Sequence, residues 1–487
     1  MANLQKLKKI TAIMMSLSLI VCLAGCARAE KSVPFAARVS VQGDVENPYL
    51  FTGEEGYKSY KITDEGKEYT AVSLGDIVAA AQPNAEEHTL LLIGRDGLTS
   101  EIDGKDLSGC HIAYTDDLGW QHIAENHPIS SRVKLLDKIV VVAKDYEMQG
   151  ANFAGNTKKT SLTPGSVYKT GFGSEIVKSG TSEINGRYVS VYTKDITARL
   201  TDVMDFEKTV AIFTKDGRTT FDRPNENSRI IVGTNSITYI KSTDERVENI
   251  GGILADPPLL SITETYNDAL SKLDKGQRVL IIEIDGWGKT IADYAKEKGV
   301  SKFLNGCEQQ TLLSVYPFVS TAGLAAMVTG KTGEENGIYS RQHKELKCED
   351  IFETVAKSGK KASYIENSIG LIKTSLPPTL SPDIDKPDDG VLKNTLAAIE
   401  SDSDFIYTHF HSVDDFATTY GPYADKTMAQ LDEVDRMVKE LAEKFEGTVI
   451  ITADHGLHEK GEGGFHGIVS KEDSLVPYIM IEGGKND

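Results

Sequence analysis

At 487 residues the chain is too long for a single hydrophobic core, and its 40% hydrophobic and 26% charged residues are typical of a globular protein. The formal net charge of −19 argues against a nucleic-acid polymer as a partner, because phosphate backbones are bound by basic surfaces. Apart from Cys22 and Cys26 the cysteines are few and scattered, which excludes a disulfide framework and a cysteine-based zinc site.

Residues 1–25 have a pattern that differs from the rest of the chain. A lysine-rich start is followed by an apolar run that is too short for a comfortable membrane span. The run ends in Leu-Ala-Gly-Cys at 23–26, which resembles a lipobox, and that resemblance implies cleavage before a lipid-bearing cysteine. We therefore expect residues 1–25 to be a bacterial lipoprotein signal peptide, with lipidation of Cys26 and an extracytoplasmic lipoprotein held on the cell membrane by its lipid anchor. The alternative is an ordinary secretion signal in which Cys26 is incidental.

Residues 26–255 are predicted to form two β-rich modules, 26–148 and 149–255. Short alternating apolar runs broken by Gly, Asp and Asn are typical of strands. A weak internal repeat suggests that the modules are related, because "HTLLLIGRDGLTSEID" at 88–103 is similar to "KTVAIFTKDGRTTFD" at 208–222. Each copy has an apolar strand, an Asp-Gly turn and a second strand, which is the pattern of a β-hairpin.

The first module contains four characteristic segments: "VQGDVENPYLFT", "VSLGDIVAAAQP", "GRDGLTSEIDGKDL" and "ENHPISSRVKLLDKIVVVA". Together they resemble the sulfite-oxidase-type molybdopterin-binding domain. Enzymes of that family hold molybdenum through a cysteine thiolate. Cys110 is the cysteine within the similar region, but the family's ligand context is not found in "SGCHIAYTDD". We therefore expect a scaffold without molybdopterin, and the role of the β-rich modules stays open.

The hydrophobic pattern of the chain changes after a linker predicted at 256–277. The linker has a proline pair and a polar helical pattern. Residues 278–487 begin with "RVLIIEIDG", a continuous apolar run as expected for a strand buried on both faces. Similar runs follow in "KASYIEN", "DFIYTHF" and "TVIITAD", separated by helical patterns, of which the clearest covers 426–445. The alternation predicts an α/β domain with a mainly parallel sheet and helices on both faces.

Polar residues follow the strands of this predicted sheet. Ligands of parallel α/β sheets bind beyond the carboxyl ends of the strands. Asp285, His411, Asp414, Asp454 and His455 all lie at or just past such ends. Their positions predict a functional site there, although Asp285 taken alone is also explained as the N-cap of the next helix.

A serine–threonine pair, Ser320 and Thr321, precedes a small-residue helix in "YPFVSTAGLAAMVTG". A hydroxyl at a helix N-terminus faces free amides and the positive end of the helix dipole. An ordinary N-cap explains this position. A nucleophile that must become an alkoxide and then carry a phosphoryl group requires the same surroundings.

Together these segments resemble the alkaline phosphatase superfamily, in particular its nucleotide pyrophosphatase/phosphodiesterase branch. The matching pieces occur in the family's order: "IIEIDG", "YPFVSTAGLAAMVTG", "VDDFATTYGP", "TADHG" and "GFHG". The resemblance implies a metal-dependent hydrolase with two divalent metal ions, usually zinc. It assigns one ion to Asp285, the nucleophile, Asp454 and His455. It assigns the other ion to Asp414, His466 and one further histidine.

The resemblance also indicates which hydroxyl is the nucleophile. In the family the nucleophile lies nine residues before the threonine of a Thr-Gly pair, and counting back from Thr329 gives Ser320. Pro317, three residues before Ser320, also fits the family pattern. We therefore expect Ser320 to be the nucleophile and a ligand of the first ion, with Thr321 as the alternative.

One element departs from the family pattern Asp-x-x-x-His-x-x-Gly-Pro. Asp414 and the Gly-Pro pair at 421–422 are in register, but Thr418 occupies the position of the histidine. A threonine hydroxyl is a poor zinc ligand compared with an imidazole. Three outcomes stay open: His411 or Asp415 substitutes, water completes a weaker site, or the second metal is absent.

The sequence "THFH" bears on that substitution. His409 and His411 alternate on a predicted strand, so their side chains are expected to point to opposite faces. At most one of them is then expected to face the metals.

These residues predict an extracytoplasmic, metal-dependent phosphoric ester hydrolase of the phosphodiesterase/pyrophosphatase type. Its substrate is expected to be a small-molecule or lipid-linked phosphate ester, with monoester, diester and pyrophosphate all open. The alternative is an envelope-anchored protein that binds a phosphorylated ligand with weakened or no turnover, because Thr418 replaces a ligand. A sulfatase is disfavoured because "STAGL" lacks the sulfatase signature.

Overall fold

The structure, a computed structural model, describes residues 38–124, 126–184, 187–381 and 386–482. The predicted signal peptide and Cys26 lie outside the described residues. Contacts divide the chain into two compact units, Met1–Val142 and Ala143–Asp487. Within the described ranges, no helix is long and apolar enough to cross a membrane.

Among its described residues, the first unit contains two sheets, one α-helix and one 3₁₀ turn. Its elements are β1 (Val39–Gly43), β2 (Tyr49–Phe51), β3 (Ser59–Asp64), β4 (Lys67–Ser73), α1 (Leu74–Ala81), β5 (His88–Gly94), β6 (Thr99–Asp103), β7 (Cys110–Thr115), β8 (Gly119–Ala124), a 3₁₀ turn (Ile129–Ser131) and β9 (Leu136–Ala143). The strand orders are β2-β1-β9-β5-β6 and β3-β4-β7-β8. β1 pairs antiparallel with β2 and parallel with β9.

The hairpin β5–β6 shows how the sequence forms this unit. Leu90 and Leu92 alternate on one side of β5 and are fully buried. The Asp-Gly turn predicted after β5 is present, and Gly97 adopts φ +87°, a conformation that glycine reaches without steric cost. Cys110 belongs to the same core, and burial raises the pKa of its thiol to about 11. It therefore presents a thiol rather than a thiolate at neutral pH.

The second unit begins with a β-rich region. Its elements are α2 (Tyr146–Gln149), β10 (Ala151–Ala154), β11 (Lys159–Leu162), a 3₁₀ turn (Ser166–Lys169), β12 (Ser174–Ile184), β13 (Arg187–Arg199), α3 (Leu200–Val203), β14 (Val210–Thr214), β15 (Thr219–Asp222), β16 (Arg229–Val232), β17 (Ile237–Ile240), β18 (Arg246–Val247) and β19 (Ile250–Ala255). The strand orders are β11-β10-β19-β14-β15 and β12-β13-β16-β17-β18. The first of these has the same order of equivalent strands as β2-β1-β9-β5-β6, so the sequence repeat corresponds to the equivalent hairpins β5–β6 and β14–β15.

The rest of the second unit alternates helices and strands. Its elements are α4 (Glu264–Asp274), β20 (Val279–Ile284), α5 (Lys289–Lys298), α6 (Lys302–Gly306), β21 (Gln310–Leu313), α7 (Ser320–Thr329), α8 (Gly333–Asn336), α9 (Ile351–Lys357), β22 (Ala362–Glu366), β23 (Thr379–Leu380), α10 (Pro387–Glu400), β24 (Phe405–Phe410), α11 (Ser412–Tyr420), α12 (Asp425–Lys444), β25 (Thr448–Thr452), β26 (His458–Lys460), β27 (Gly463–Phe465), α13 (Lys471–Ser474) and β28 (Leu475–Ile481). A seven-stranded sheet has the order β21-β28-β25-β20-β24-β22-β23, and β26 and β27 form a hairpin.

This sheet is mainly parallel, as predicted. β20 lies at its centre and pairs in parallel with β24 on one side and β25 on the other. β28 and β21 form an antiparallel edge. All six residues of β20 are buried, which explains its continuous apolar run. The predicted mixed α/β fold with β-rich N-terminal sheets is therefore confirmed.

The long helix α12 packs by the apolar face that its periodicity predicts. Met428, Leu431, Val434, Val438 and Leu441 are all buried. They recur at helical spacing, so one side of the helix covers the core while the opposite side carries charged residues. α12 contacts α6, α10 and α11.

Residues between the β-rich region and β20 also form structure. The segment 256–277, predicted as a linker, contains α4, which contacts β20 and β25. A separate apolar cluster joins the β14 sheet to the chain just before α7, and Phe213 and Phe318 meet there with ring centroids 5.3 Å apart. The β-rich region and the α/β region of this unit therefore share part of their core.

Candidate active site

The predicted site residues meet at the carboxyl ends of the three central parallel strands. Asp285 directly follows β20, His411 directly follows β24, and Asp454 and His455 follow β25 by two and three residues. Gly286 turns the chain after Asp285 with φ +71°, and a Cβ on it would lie 2.6 Å from Leu457 and 3.1 Å from Asp414. Only glycine therefore lets the loop after β20 approach α11 this closely.

Ser320 is the first residue of α7 and faces this cluster. Its Oγ lies 3.4 Å from Asp285 Oδ1 and 3.2 Å from His455 Nε2. Thr321 differs, because its Oγ1 donates to the backbone carbonyl of Ser340 at 3.3 Å. The geometry thus brings Ser320, rather than Thr321, to the acidic and imidazole groups.

Asp285, Asp454 and His455 form the first group able to hold a metal, with ligand atoms within 4.8 Å of one another. His455 Nε2 lies 3.4 Å from Asp285 Oδ1 and 3.2 Å from Asp454 Oδ2. Asp454 Oδ1 accepts hydrogen bonds from the amides of Gly286 and His455, which leaves Oδ2 facing the cluster. His455 Nδ1 lies 3.1 Å from the Gly456 carbonyl and must donate to it, so Nε2 carries the lone pair.

Asp414, His455 and His466 form a second group with the same spacing. His466 Nε2 lies 3.8 Å from Asp414 Oδ1, and its Nδ1 donates to the Phe318 carbonyl at 2.9 Å. The rings of His455 and His466 are stacked, with centroids 3.9 Å apart. His466 therefore also points its Nε2 lone pair into the site.

The structure places Thr418 where it is a poor candidate for a metal ligand, as its chemistry also indicates. Thr418 is exposed on α11, whereas Asp414, one turn earlier, is buried. His411 is closer to the cluster, since its Nε2 lies 3.0 Å from Asp285 Oδ2, and it also forms a possible metal group with Asp414 and Asp415. Asp415 is mostly exposed, with 63% of its side chain accessible. Of the two candidate substitutes, His411 is the better placed.

The prediction that His409 and His411 point to opposite faces is wrong. Both Nε2 atoms approach Asp285 Oδ2, at 3.3 Å and 3.0 Å. The strand ends at Phe410, and His411 has helical backbone angles (φ −109°, ψ −21°), so the strict alternation of a strand no longer applies to it.

His409 is the centre of a buried polar network beneath the site. Its Nδ1 lies 2.9 Å from Glu366 Oε2, and its Nε2 lies 3.6 Å from Glu283 Oε1. Tyr407 donates its hydroxyl to Glu283 at 2.6 Å, and Tyr364 donates to Glu366 at 2.5 Å. Burial alone would lower the pKa of His409, but the charges of Glu283 and Glu366 outweigh burial and raise it well above its usual value.

The pKa shifts of the carboxyl and imidazole groups in the cluster indicate a site that a bound cation would stabilise. Burial, with the charge of Asp285 added, raises the pKa of Asp414 to about 8 and raises that of Asp454 well above its usual value. Burial also lowers the pKa of His466 to about 4, and that of His455 falls well below its usual value. Carboxylates crowded together beside neutral imidazoles are the state that a divalent metal stabilises.

Two buried oxygens fit the same conclusion. Asp414 Oδ1 and Asp454 Oδ2 are buried and, among the described residues, have no hydrogen-bond partner. Burying an acceptor without a partner costs about 1–3 kcal/mol, so such groups require an explanation. Oxygen and imidazole nitrogen donors converging on one place suit divalent metals, including zinc.

Sequence reasoning missed Arg341, the two buried carboxylates Glu283 and Glu366, and the supporting role of His409. Arg341 Nη2 donates to His466 Nε2 at 2.7 Å, although Arg341 lies in a segment with no recognisable pattern. Glu366 ends the buried strand β22, and a carboxylate at the carboxyl end of a parallel strand was the available signal.

The comparisons with known proteins concern this part of the chain. Residues 279–461 match the profile of the family described as type I phosphodiesterase / nucleotide pyrophosphatase. The matched range contains Asp285, Ser320, Asp414, Asp454 and His455, and ends just before His466. No curated protein matches the chain.

Two crystal structures of phosphonoacetate hydrolase from Sinorhizobium meliloti 1021 are similar to this chain. For the complex with phosphonoformate the TM-score is 0.32 at 15% identity, covering 37% of this chain and 57% of that chain. For the complex with phosphonoacetate the TM-score is 0.32 at 16% identity, covering 38% and 58%. The chain thus spans a little over half the length of these structures.

Proposed function

We propose that this chain is a metal-dependent hydrolase of the alkaline phosphatase superfamily, which cleaves a phosphoric ester with Ser320 as the nucleophile and two divalent metal ions. The match of residues 279–461 to the type I phosphodiesterase / nucleotide pyrophosphatase family supports this proposal. The observation that carries the proposal is the position of Ser320 Oγ, 3.4 Å from Asp285 Oδ1 and 3.2 Å from His455 Nε2. Its oxygen lies beside two of the atoms that would hold a metal, in a site with buried acceptors that lack partners.

The proposed ligands fall into two sets, and zinc suits both because they combine carboxylates with imidazoles. The first set is Asp285, Ser320, Asp454 and His455; the second is Asp414, His466 and, in place of Thr418, His411. When bound, two divalent ions would favour the alkoxide form of the serine and offset charge on the phosphoryl and leaving oxygens.

Ser320 is the group that reacts. Its Oγ attacks phosphorus and forms an Oγ–P bond, while the bond from phosphorus to the leaving oxygen breaks and the alcohol departs. Water then attacks phosphorus: its oxygen bonds to phosphorus as the Oγ–P bond breaks, a proton returns to Ser320 Oγ, and the phosphate product leaves. Because Ser320 begins α7, the positive end of that helix dipole faces the charge that develops.

The competing function is ligand binding without turnover. The exposed side chain of Thr418 is the observation that favours it, because the family's histidine is then missing from the second metal set. The approach of His411 to Asp285 is the observation that favours hydrolysis. An envelope protein that retained only one metal would still bind a phosphorylated ligand.

We further propose that the chain works outside the cytoplasm, anchored by lipid on Cys26, because residues 1–26 have the lipoprotein pattern. Expression of the full chain followed by fractionation tests this. The wild type is expected in the membrane fraction and Cys26→Ser outside it. An equal distribution of both would contradict the anchor.

Two neighbouring hydroxyl variants test the nucleophile. Ser320→Ala is expected to lower turnover of p-nitrophenyl phosphate and bis-p-nitrophenyl phosphate by at least about 10³-fold, since the atom that bonds to phosphorus is removed. Thr321→Ala, the matched control, removes only a hydrogen bond to Ser340 and is expected to cost no more than about tenfold. Activity retained in Ser320→Ala and lost in Thr321→Ala would reverse the assignment.

A further inference from the structure

A second cavity, of about 260 Å³, lies in the second unit, and among the described residues that line it there is no proposed metal ligand. One wall is formed by the hairpin β10–β11, and the opposite wall by β26 and the segment 468–472. Its volume is close to the lower limit, about 300 Å³, at which proteins bind small molecules. The charged and aromatic side chains of the lining include those of Glu147, Lys159, Tyr423, His458, Glu459 and Glu472.

His458 contributes a buried nitrogen without a partner to this cavity. Only 10% of its side chain is accessible, and its Nδ1 lies 2.8 Å from Asp473 Oδ1. A carboxylate only accepts, so Nδ1 carries the proton, and in the neutral ring Nε2 holds a lone pair. Within the described ranges, Nε2 is buried and has no hydrogen-bond partner. Such a group requires an explanation, and a bound ligand supplies one.

Glu472 contributes a second buried acceptor. Its Oε1 accepts a hydrogen bond from Lys159 Nζ at 2.6 Å, whereas its Oε2 is buried and has no partner in the described part of the chain. The ion pair offsets the charge of Lys159, while Glu147 and Glu459 add two further carboxylates to the lining. The cavity therefore carries an excess of negative charge, even with the imidazole protonated.

The pKa shifts of two lining side chains indicate the same negative potential. Burial alone would lower the pKa of His458, but the hydrogen bond to its carboxylate partner and the charge of Glu147 raise it. Burial raises the pKa of the Tyr423 phenol, and the charges of Glu472 and Glu459 raise it further. A potential that favours a proton on an imidazole and disfavours a phenolate also favours a bound cation.

The geometry suits an organic cation better than a single metal ion. Among the described residues, His458 and Glu472 belong to no group of three ligands whose atoms lie within 4.8 Å of one another. An ammonium or guanidinium group offers several N–H donors to separate acceptors, as those of lysine and arginine do. The phenol ring of Tyr423 adds an aromatic surface of the kind that attracts such cations.

We propose that this cavity binds a small organic cation with an ammonium or guanidinium group, and that His458 Nε2 and Glu472 Oε2 accept its hydrogen bonds. The site is separate from the proposed metal sets, so this assignment does not depend on hydrolysis of a phosphoric ester. The competing explanation is that the cavity holds only water.

Ligand-observed NMR titration of purified, zinc-loaded residues 27–487 tests the proposal. The probes are n-butylammonium, ethanolammonium and n-butylguanidinium, with 1-butanol as the uncharged control. We expect saturable binding of at least one cation and none of butanol. Glu472→Gln and His458→Asn are each expected to weaken that binding about 10- to 100-fold, through loss of a charge-assisted hydrogen bond. His458→Asn keeps an amide donor for Asp473.

Glu462→Gln is the matched control. Glu462 is exposed at the turn between β26 and β27, so the variant removes one carboxylate outside the cavity lining and is expected to leave binding unchanged. Unaltered binding in both cavity variants, equal binding of butanol, or binding of none of the three cations would overturn the proposal. The readout is binding rather than turnover, so failure of the proposed hydrolysis would not affect it.

Discussion

At the scale of single residues, the proposed second metal set depends on which side chain replaces the histidine of the family pattern. His411 Nε2 reaches Asp285 Oδ2 at 3.0 Å, while Thr418 lies exposed one turn after Asp414. Burial alone would lower the pKa of His411, but the charge of Asp285 outweighs burial and raises it to about 10. A metal at this position would take the place of that proton.

His411→Ala is therefore expected to weaken binding of the second zinc ion by at least about 10–100-fold, because even an outer-shell partner of a metal contributes that much. Thr418→Ala, the control on the neighbouring helix α11, is expected to leave zinc affinity unchanged. Competition with a chelating dye measures both. Equal affinity in His411→Ala and wild type would exclude His411 as a ligand.

The site residues that could be predicted from the sequence are those whose positions follow from the pattern of neighbouring residues. Asp285, Asp454 and His455 lie within three residues of the ends of buried strands, where parallel sheets bind their ligands. The choice of Ser320 came from family spacing, and its contact with Asp285 is consistent with it. Arg341 could not be found in this way, because its partner His466 lies 125 positions along the chain.

At the scale of elements, α7 must approach the loop after β25 closely to present Ser320. A Cβ on Gly323 would lie 2.5 Å from Asp454 Cβ and 2.8 Å from its Cα, inside any normal contact. The small residues of α7 are thus a packing requirement: nine of its ten residues are buried, and Ser320 is partly accessible.

Gly323→Ala is expected to destabilise the protein by about 1–3 kcal/mol through overpacking, although alanine is the better helix former. Gly306→Ala is the control, since Gly306 ends α6 with open space around its Cβ, and we expect a change within about 0.5 kcal/mol. Denaturant unfolding monitored by circular dichroism gives both values. A Gly323→Ala protein at least as stable as wild type would show that α7 can move away from Asp454.

The ends of helix α12 and strand β24 show how far local sequence patterns can predict element boundaries. The apolar periodicity of 426–445 predicts a helix that the structure places at Asp425–Lys444. The strand pattern of "THFH" extends too far, because β24 ends at Phe410 and His411 turns toward α11. The hydrogen bonds at a strand end depend on neighbouring strands and loops, which periodicity does not encode.

At the scale of the whole molecule, the site is supported by both parts of the second unit. The Phe318 carbonyl holds His466 Nδ1, and the Phe318 ring packs against Phe213 in the β14 sheet. Sequence composition separates the β-rich region from the α/β region but contains no sign of this shared cluster. Such a contact arises from tertiary packing between segments about a hundred residues apart.

The proposal of a two-metal hydrolase is tested by metal content, measured by mass spectrometry on purified residues 27–487, together with hydrolysis of p-nitrophenyl phosphate and bis-p-nitrophenyl phosphate. We expect close to two zinc ions per chain together with turnover, because two sets of buried oxygens and imidazole nitrogens meet beside Ser320. One ion or none, with no turnover on either ester after zinc is added, would contradict the account and leave binding without hydrolysis as the function to pursue.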